Sequence, residues 1–144
     1  MELNRSRRED CAERHARGFN CAQAVACSYA DVLGVSEATL FAATEGLGLG
    51  MGGMAGTCGA LSGACVVAGL LQSTGDPSNP TSKGRTYRLA RQLVARFEEL
   101  SGATRCRDLK GVDTGCVICS CPDCVANASQ ALEELAFELP PTES

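Results

Sequence analysis

Apolar residues recur every three or four positions along most of the chain, and no stretch alternates β-branched or aromatic residues with period two. That pattern predicts a helical protein without a sheet. A first helix is predicted from Arg5 to Arg17 and closes at Gly18, a residue suited to the left-handed turn after a helix. Asn20 is the N-cap of a second, which runs to Leu33 before Gly34. On it Cys21, Val25, Tyr29 and Val32 share a face and Cys27 points away. Ser36 caps a third, to Glu45, with Val35 and Leu40 spaced as a hydrophobic staple.

A glycine-rich loop follows, and Thr57 is the predicted cap of a fourth helix with Cys58 in its first turn. Along that helix Cys58, Ser62, Cys65 and Gly69 form a strip of small side chains that admits another backbone or an inorganic group. The stretch from Thr74 to Ser82 reads as a turn-rich connector. The fifth helix, Gly84 to Leu100, carries Leu89, Leu93, Phe97 and Leu100 on one face and Arg85, Arg88, Arg91 and Arg96 on the other, the latter read as solvated. Cys106 to Gly111 reads as a short helical turn, and 111–120 as loop. Pro122 at the first helical position makes Cys121 the predicted N-cap of the last helix, whose buried face is Val125, Ala128, Leu132, Leu135 and Ala136. The expectation is an all-α, compact bundle of about five to six helices, with a Gly-rich loop before the Cys-Gly-Ala helix and a Cys-rich C-terminal loop.

Length and charge narrow the picture. The 144 residues suit a single helical cysteine-rich domain, with 1–4 and 138–144 expected to fray. A net charge of −4, no Trp and few aromatic residues argue against nucleic acid as a partner. From Gly46 to Gly75 there is no charged residue, but the glycine content of its first part disfavours a spanning helix, so no membrane insertion is expected. The charged segment Met1–Asp10 leads into no apolar run, and the expected location is the cytoplasm.

Cysteine is the anomaly, at 10 of 144 residues. In a reducing compartment that number points to metal binding or redox turnover rather than structural disulfides. Cys21, Cys58 and Cys121 are each placed at a helix start, where unpaired N–H groups and the helix dipole favour thiolate. All three lie on or beside the apolar face of their helix and can meet inside, and Cys106 can close the set. Separately, Cys116-x-x-Cys119-x-Cys121-x-x-Cys124 overlaps two Cys-x-x-Cys pairs. Such a run suits a soft metal ion or dithiol exchange, although its spacing is neither that of a zinc finger nor of a ferredoxin.

Other motifs carry less. Gly48-x-Gly50-x-x-Gly53 matches the dinucleotide pattern in letters but follows a helix instead of a strand. His15, the one histidine, lies four residues after Cys11 on the same face; it is read as a packed core histidine ahead of half of a metal pair.

Taken together, Asn20-Cys21-Ala22-Gln23-Ala24-Val25, then Cys58-Gly59-Ala60-Leu61-Ser62-Gly63-Ala64 after the glycine loop, then Cys106-Arg107-Asp108-Leu109, then Cys121-Pro122 resemble the C-GCAxxG-C-C family of redox-active, cysteine-rich proteins. The resemblance covers about residues 9 to 137. It implies a small, soluble, all-helical bacterial or archaeal protein whose redox-linked cysteines are Cys21, Cys58, Cys106 and Cys121. Similarity to the cysteine-rich domain of split-Soret cytochromes implies an iron–sulfur cluster, of unstated type, on those four thiolates. The chain departs from the family in six further cysteines, Cys11, Cys27, Cys65, Cys116, Cys119 and Cys124, with Cys116, Cys119 and Cys124 a candidate second metal site. The resulting expectation is a cytoplasmic electron-transfer protein with a partner redox protein and room for a homo-oligomer. The alternatives are a metal-free thiol–disulfide protein or sensor on the same cysteines, and a zinc or other thiophilic-ion binder through 116–124. Whether the protein is an enzyme is left open.

Overall fold

The computed structural model describes residues 1–141. These form eight α-helices and no strand: α1 (Arg8–Ala16), α2 (Cys21–Cys27), α3 (Ala30–Leu33), α4 (Glu37–Thr44), α5 (Gly59–Gln72), α6 (Lys83–Ser101), α7 (Cys106–Leu109) and α8 (Cys121–Leu135). The all-α expectation holds with more helices than expected, for two physical reasons. The predicted second helix breaks at Ser28, whose hydroxyl donates back to the Ala24 carbonyl at 2.8 Å, and the chain resumes as α3. The turn at Cys106 closes into a full helical turn, α7.

The helix starts follow local capping chemistry. Asn20 accepts from the Gln23 N–H while the Gln23 side chain accepts from the Asn20 N–H, a reciprocal capping box that fixes Cys21 as the first residue of α2. Ser36 caps α4, and Val35 packs with Leu40 as the staple requires. Two expected caps are corrected. The N-cap of α5 is Cys58, not Thr57, because Thr57 is held in an extended bridge to Arg105. The N-cap of α8 is Ser120, not Cys121: the Ser120 hydroxyl accepts from the Asp123 N–H at 3.3 Å, a better cap than a thiol, which moves Cys121 to the first helical position and Pro122 to the second.

The core joins α2, α5, α6 and α8, with Tyr29, Phe97, Leu61, Leu93 and Leu132 among its fully buried side chains. The closest approach is α2 against α5. A Cβ at Gly63 would lie 2.6 Å from the Ala22 carbonyl oxygen, and one at Gly59 3.1 Å from that of Leu47. The glycines that admit a backbone are therefore 59 and 63, one turn apart, and not the strip through Ser62, Cys65 and Gly69; a Cβ added at Gly69 would meet nothing within 4 Å. On α8 the buried face includes Val125, Ala128 and Leu132, but Leu135, expected inside, is 39% exposed at the helix end. Arg96, expected to be solvated, grips Glu134 of α8 at 2.8 Å.

Residues 1–4 are not frayed. The Leu3 N–H donates to the Glu138 carbonyl at 2.8 Å, the Glu138 N–H donates to that of Met1 at 2.9 Å, and Leu3 is buried. The expected fraying of 138–144 falls partly on 142–144, which lie outside the described residues. Among the described residues no helix is long and apolar enough to cross a membrane.

Candidate functional site

Four separated segments meet at one end of the α2–α5 contact. The Cys58 N–H donates to the Thr104 carbonyl at 2.8 Å, and the Cys106 N–H to that of Gly56 at 3.0 Å. This short antiparallel pairing sets the first residues of α5 and α7 side by side. The loop before α5 makes room for it. Leu49, Gly50, Met51, Gly52 and Met54 all have positive φ, a run of left-handed backbone that non-glycine residues adopt only at a cost of about 1–3 kcal/mol each. A Cβ on Gly50 would sit 2.5 Å from the Cys106 Cβ, so only glycine lets the loop close over Cys106. From the other side, the Ile118 and Cys119 N–H groups both donate to the Leu109 carbonyl, which folds the 111–120 loop back and delivers the start of α8.

The result is a cavity of about 180 Å³ lined by Cys21, Cys58, Cys106, Cys119, Cys121 and Cys124. His15, Asn20 and Lys110 supply its polar side chains, and no carboxylate among the described residues lines it. The Lys110 ammonium donates to Cys121 Sγ at 2.7 Å. His15 Nε2 lies 3.7 Å from Cys21 Sγ. Cys58 faces the Ala60 and Leu61 N–H groups of its own helix without closing a full cap hydrogen bond.

These surroundings separate the thiols. A hydrogen bond from Cys124 holds the Cys58 pKa down, to about 7, aided by those two N–H groups and the Lys110 charge against the cost of burial. Cys124 is pushed up, as the thiol that keeps its proton beside Cys58. Burial raises Cys21 to about 12, with the neighbouring Cys121 and Cys58 adding to the rise, and burial likewise raises Cys106. The site therefore holds thiolate-favouring and proton-holding sulfurs within one cavity.

All four of Cys21, Cys58, Cys106 and Cys121 are brought together. The run 116–124 is not one site: Cys119, Cys121 and Cys124 line the cavity, whereas Cys116 is exposed on the loop and outside it. Among the described residues no three His, Cys, Asp or Glu side chains gather closely enough to hold a single metal ion. Cys11 is buried beside Ser28 and Cys27 beside Leu40, each raised to about 11 by burial; Cys65 packs half-buried against the core.

Sequence reasoning missed the partner of His15 and missed Lys110. His15 pairs with Cys21, not Cys11, because the Gly18 turn folds the end of α1 onto the start of α2. Lys110 was not singled out, although its place four residues after Cys106 puts it on the same side of a helical turn.

No curated protein and no solved structure matches the chain. Residues 19–135 match the family described as "Putative redox-active protein (C_GCAxxG_C_C)", a span that takes in all four of the converging segments. The chain belongs to the C_GCAxxG_C_C family.

Proposed function

We propose that the protein is a cytoplasmic electron-transfer protein that holds an iron–sulfur cluster on Cys21, Cys58, Cys106 and Cys121 and exchanges electrons with a partner redox protein. The observation that carries this reading is the meeting of four sulfurs, from four separate segments, around one cavity that no carboxylate of the described residues lines. The donor set fits the group. Sulfur is the soft ligand that iron–sulfur clusters take. The cavity, about 180 Å³, far exceeds the roughly 10–15 Å³ that a single water needs and leaves room for a small polynuclear group.

When bound, such a group supplies a one-electron couple. The chain's own residues set the surroundings. Cys58 and Cys21 sit at helix starts, where backbone N–H groups favour negative charge on sulfur. Gly50 and the left-handed loop hold Cys106 in place, and Leu49 and Leu109 line the cavity with hydrocarbon. That all ten cysteines are unpaired suits a reducing compartment.

The test is iron and acid-labile sulfide content with an absorption spectrum on anaerobically purified protein. Iron and sulfide in near-equal amounts with visible charge-transfer bands support the reading. Their absence after anaerobic reconstitution, or zinc in their place, overturns it.

One observation favours a second reading. Cys58, the thiolate-favouring sulfur, and Cys124, which keeps its proton, line the same cavity, as an attacking thiol and a resolving partner must. In metal-free protein the Cys58 thiolate would attack a substrate disulfide and expel one thiolate. Cys124 would then displace the second thiol, leaving a Cys58–Cys124 disulfide. Recovery of that cross-linked peptide after mild disulfide treatment supports this chemistry, and recovery of none excludes it.

A further inference from the structure

Lys110 is the one lysine or arginine that lines the sulfur cavity. It ends α7, with its N–H donating to the Cys106 carbonyl at 3.0 Å, and its ammonium reaches across to Cys121 Sγ at 2.7 Å. The charges around it are already matched. Arg105 pairs with Asp108 at 2.9 Å and Arg107 with Asp113 at 2.7 Å, and no carboxylate among the described residues pairs with Lys110. Its charge is thus directed at sulfur alone. A fixed cation beside a centre stabilises whichever state carries more negative charge, and it does so more strongly where water is excluded.

From this geometry we infer that Lys110 is a positioning residue that raises the reduction potential of the sulfur centre. The inference rests on the reading of these sulfurs as the redox centre, but its sign does not depend on the form that centre takes. A cluster gains one electron, and one unit of negative charge, from an external one-electron donor. A Cys58–Cys124 disulfide gains two electrons and two protons from a dithiol, which is oxidised to its own disulfide; its S–S bond breaks to leave two thiol groups, whose ionised form carries a negative charge that a disulfide cannot. In both couples the reduced state is the more negative one, and the ammonium favours it.

The experiment compares the midpoint potential of the full chain with those of Lys110→Met and Lys110→Arg. If the anaerobic protein contains iron and sulfide, the one-electron couple is followed by absorbance or spin resonance. If it is metal-free, the thiol couple is equilibrated in dithiothreitol buffers and trapped by alkylation. Lys110→Met should disfavour reduction at least tenfold, 59 mV lower for one electron or about 30 mV lower for two. Lys110→Arg, which keeps the charge, should stay within threefold of the wild type. A smaller shift in Lys110→Met, or an equal fall in Lys110→Arg, overturns the inference and assigns Lys110 to holding α7 against α8. Metal content decides separately whether the cluster reading stands, so the two failures are distinguishable.

Discussion

At Gly50 the backbone φ is +55°, and the space that a Cβ would take belongs to Cys106. Gly50→Ala should therefore destabilise the protein by about 1–3 kcal/mol through left-handed strain, before any cost of moving Cys106. Denaturant melts will read that loss, and iron content should fall with it; an unchanged melt would mean that the loop does not seat Cys106. Cys58 lends itself to a second check in metal-free protein. Its thiolate forms as pH rises through about 7, so iodoacetamide labelling of Cys58, read peptide by peptide, should reach half its plateau near pH 7, while Cys21, raised to about 12, stays slow. Equal labelling of both across that range would remove the electrostatic distinction between them. Residue identity was legible where one local rule decides. Asn20 and Ser36 are caps, and Cys21 opens its helix, as their neighbours dictate. It was not legible where a distant partner competes: Thr57 is diverted from its cap by Arg105, a residue far along the chain.

Between α2 and α5 the backbones approach most closely where Gly63 meets Ala22. Gly63→Ala would drive a Cβ to 2.6 Å from the Ala22 carbonyl oxygen, and separating the helices should cost about 1–3 kcal/mol. It would also move Cys21 away from Cys58. Gly69→Ala, on the same helix with open space around it, should instead stabilise by about 0.5–1 kcal/mol by removing backbone entropy. Opposite signs in paired urea titrations would support this account of the contact; like signs would contradict it. The sequence revealed α5, α6 and α8 through the apolar faces they bury, and α1 and α4 through the cap residues and glycines at their ends. It did not reveal which glycines touch, because small residues at helical spacing look alike until the crossing point is known. Nor did it reveal the break at Ser28, since a serine hydroxyl turned back onto its own helix leaves no periodic mark.

Across the molecule, the ends of the chain and its site are both tied by long-range contacts. Leu3 is buried and the N-terminal segment pairs with Glu138, so Leu3→Ala should cost about 2–5 kcal/mol. A thermal melt that did not move would return residues 1–4 to the frayed state expected from sequence. The meeting of Cys21, Cys58, Cys106 and Cys121 was anticipated from helix starts and apolar faces, and the cavity contains all four. The inclusion of Cys119 and Cys124 and the exclusion of Cys116 depend on how the 111–120 loop folds back onto Leu109, and no spacing rule encodes that. The central claim, that four of the ten cysteines hold an iron–sulfur cluster, is tested most directly by iron and sulfide retention in single Cys→Ser variants purified without oxygen. The account predicts loss of both in the variants of Cys21, Cys58, Cys106 and Cys121, with Cys11, Cys27 and Cys116 variants retaining them. Full retention in any of the first four, or loss in the Cys116→Ser variant equal to theirs, would contradict it.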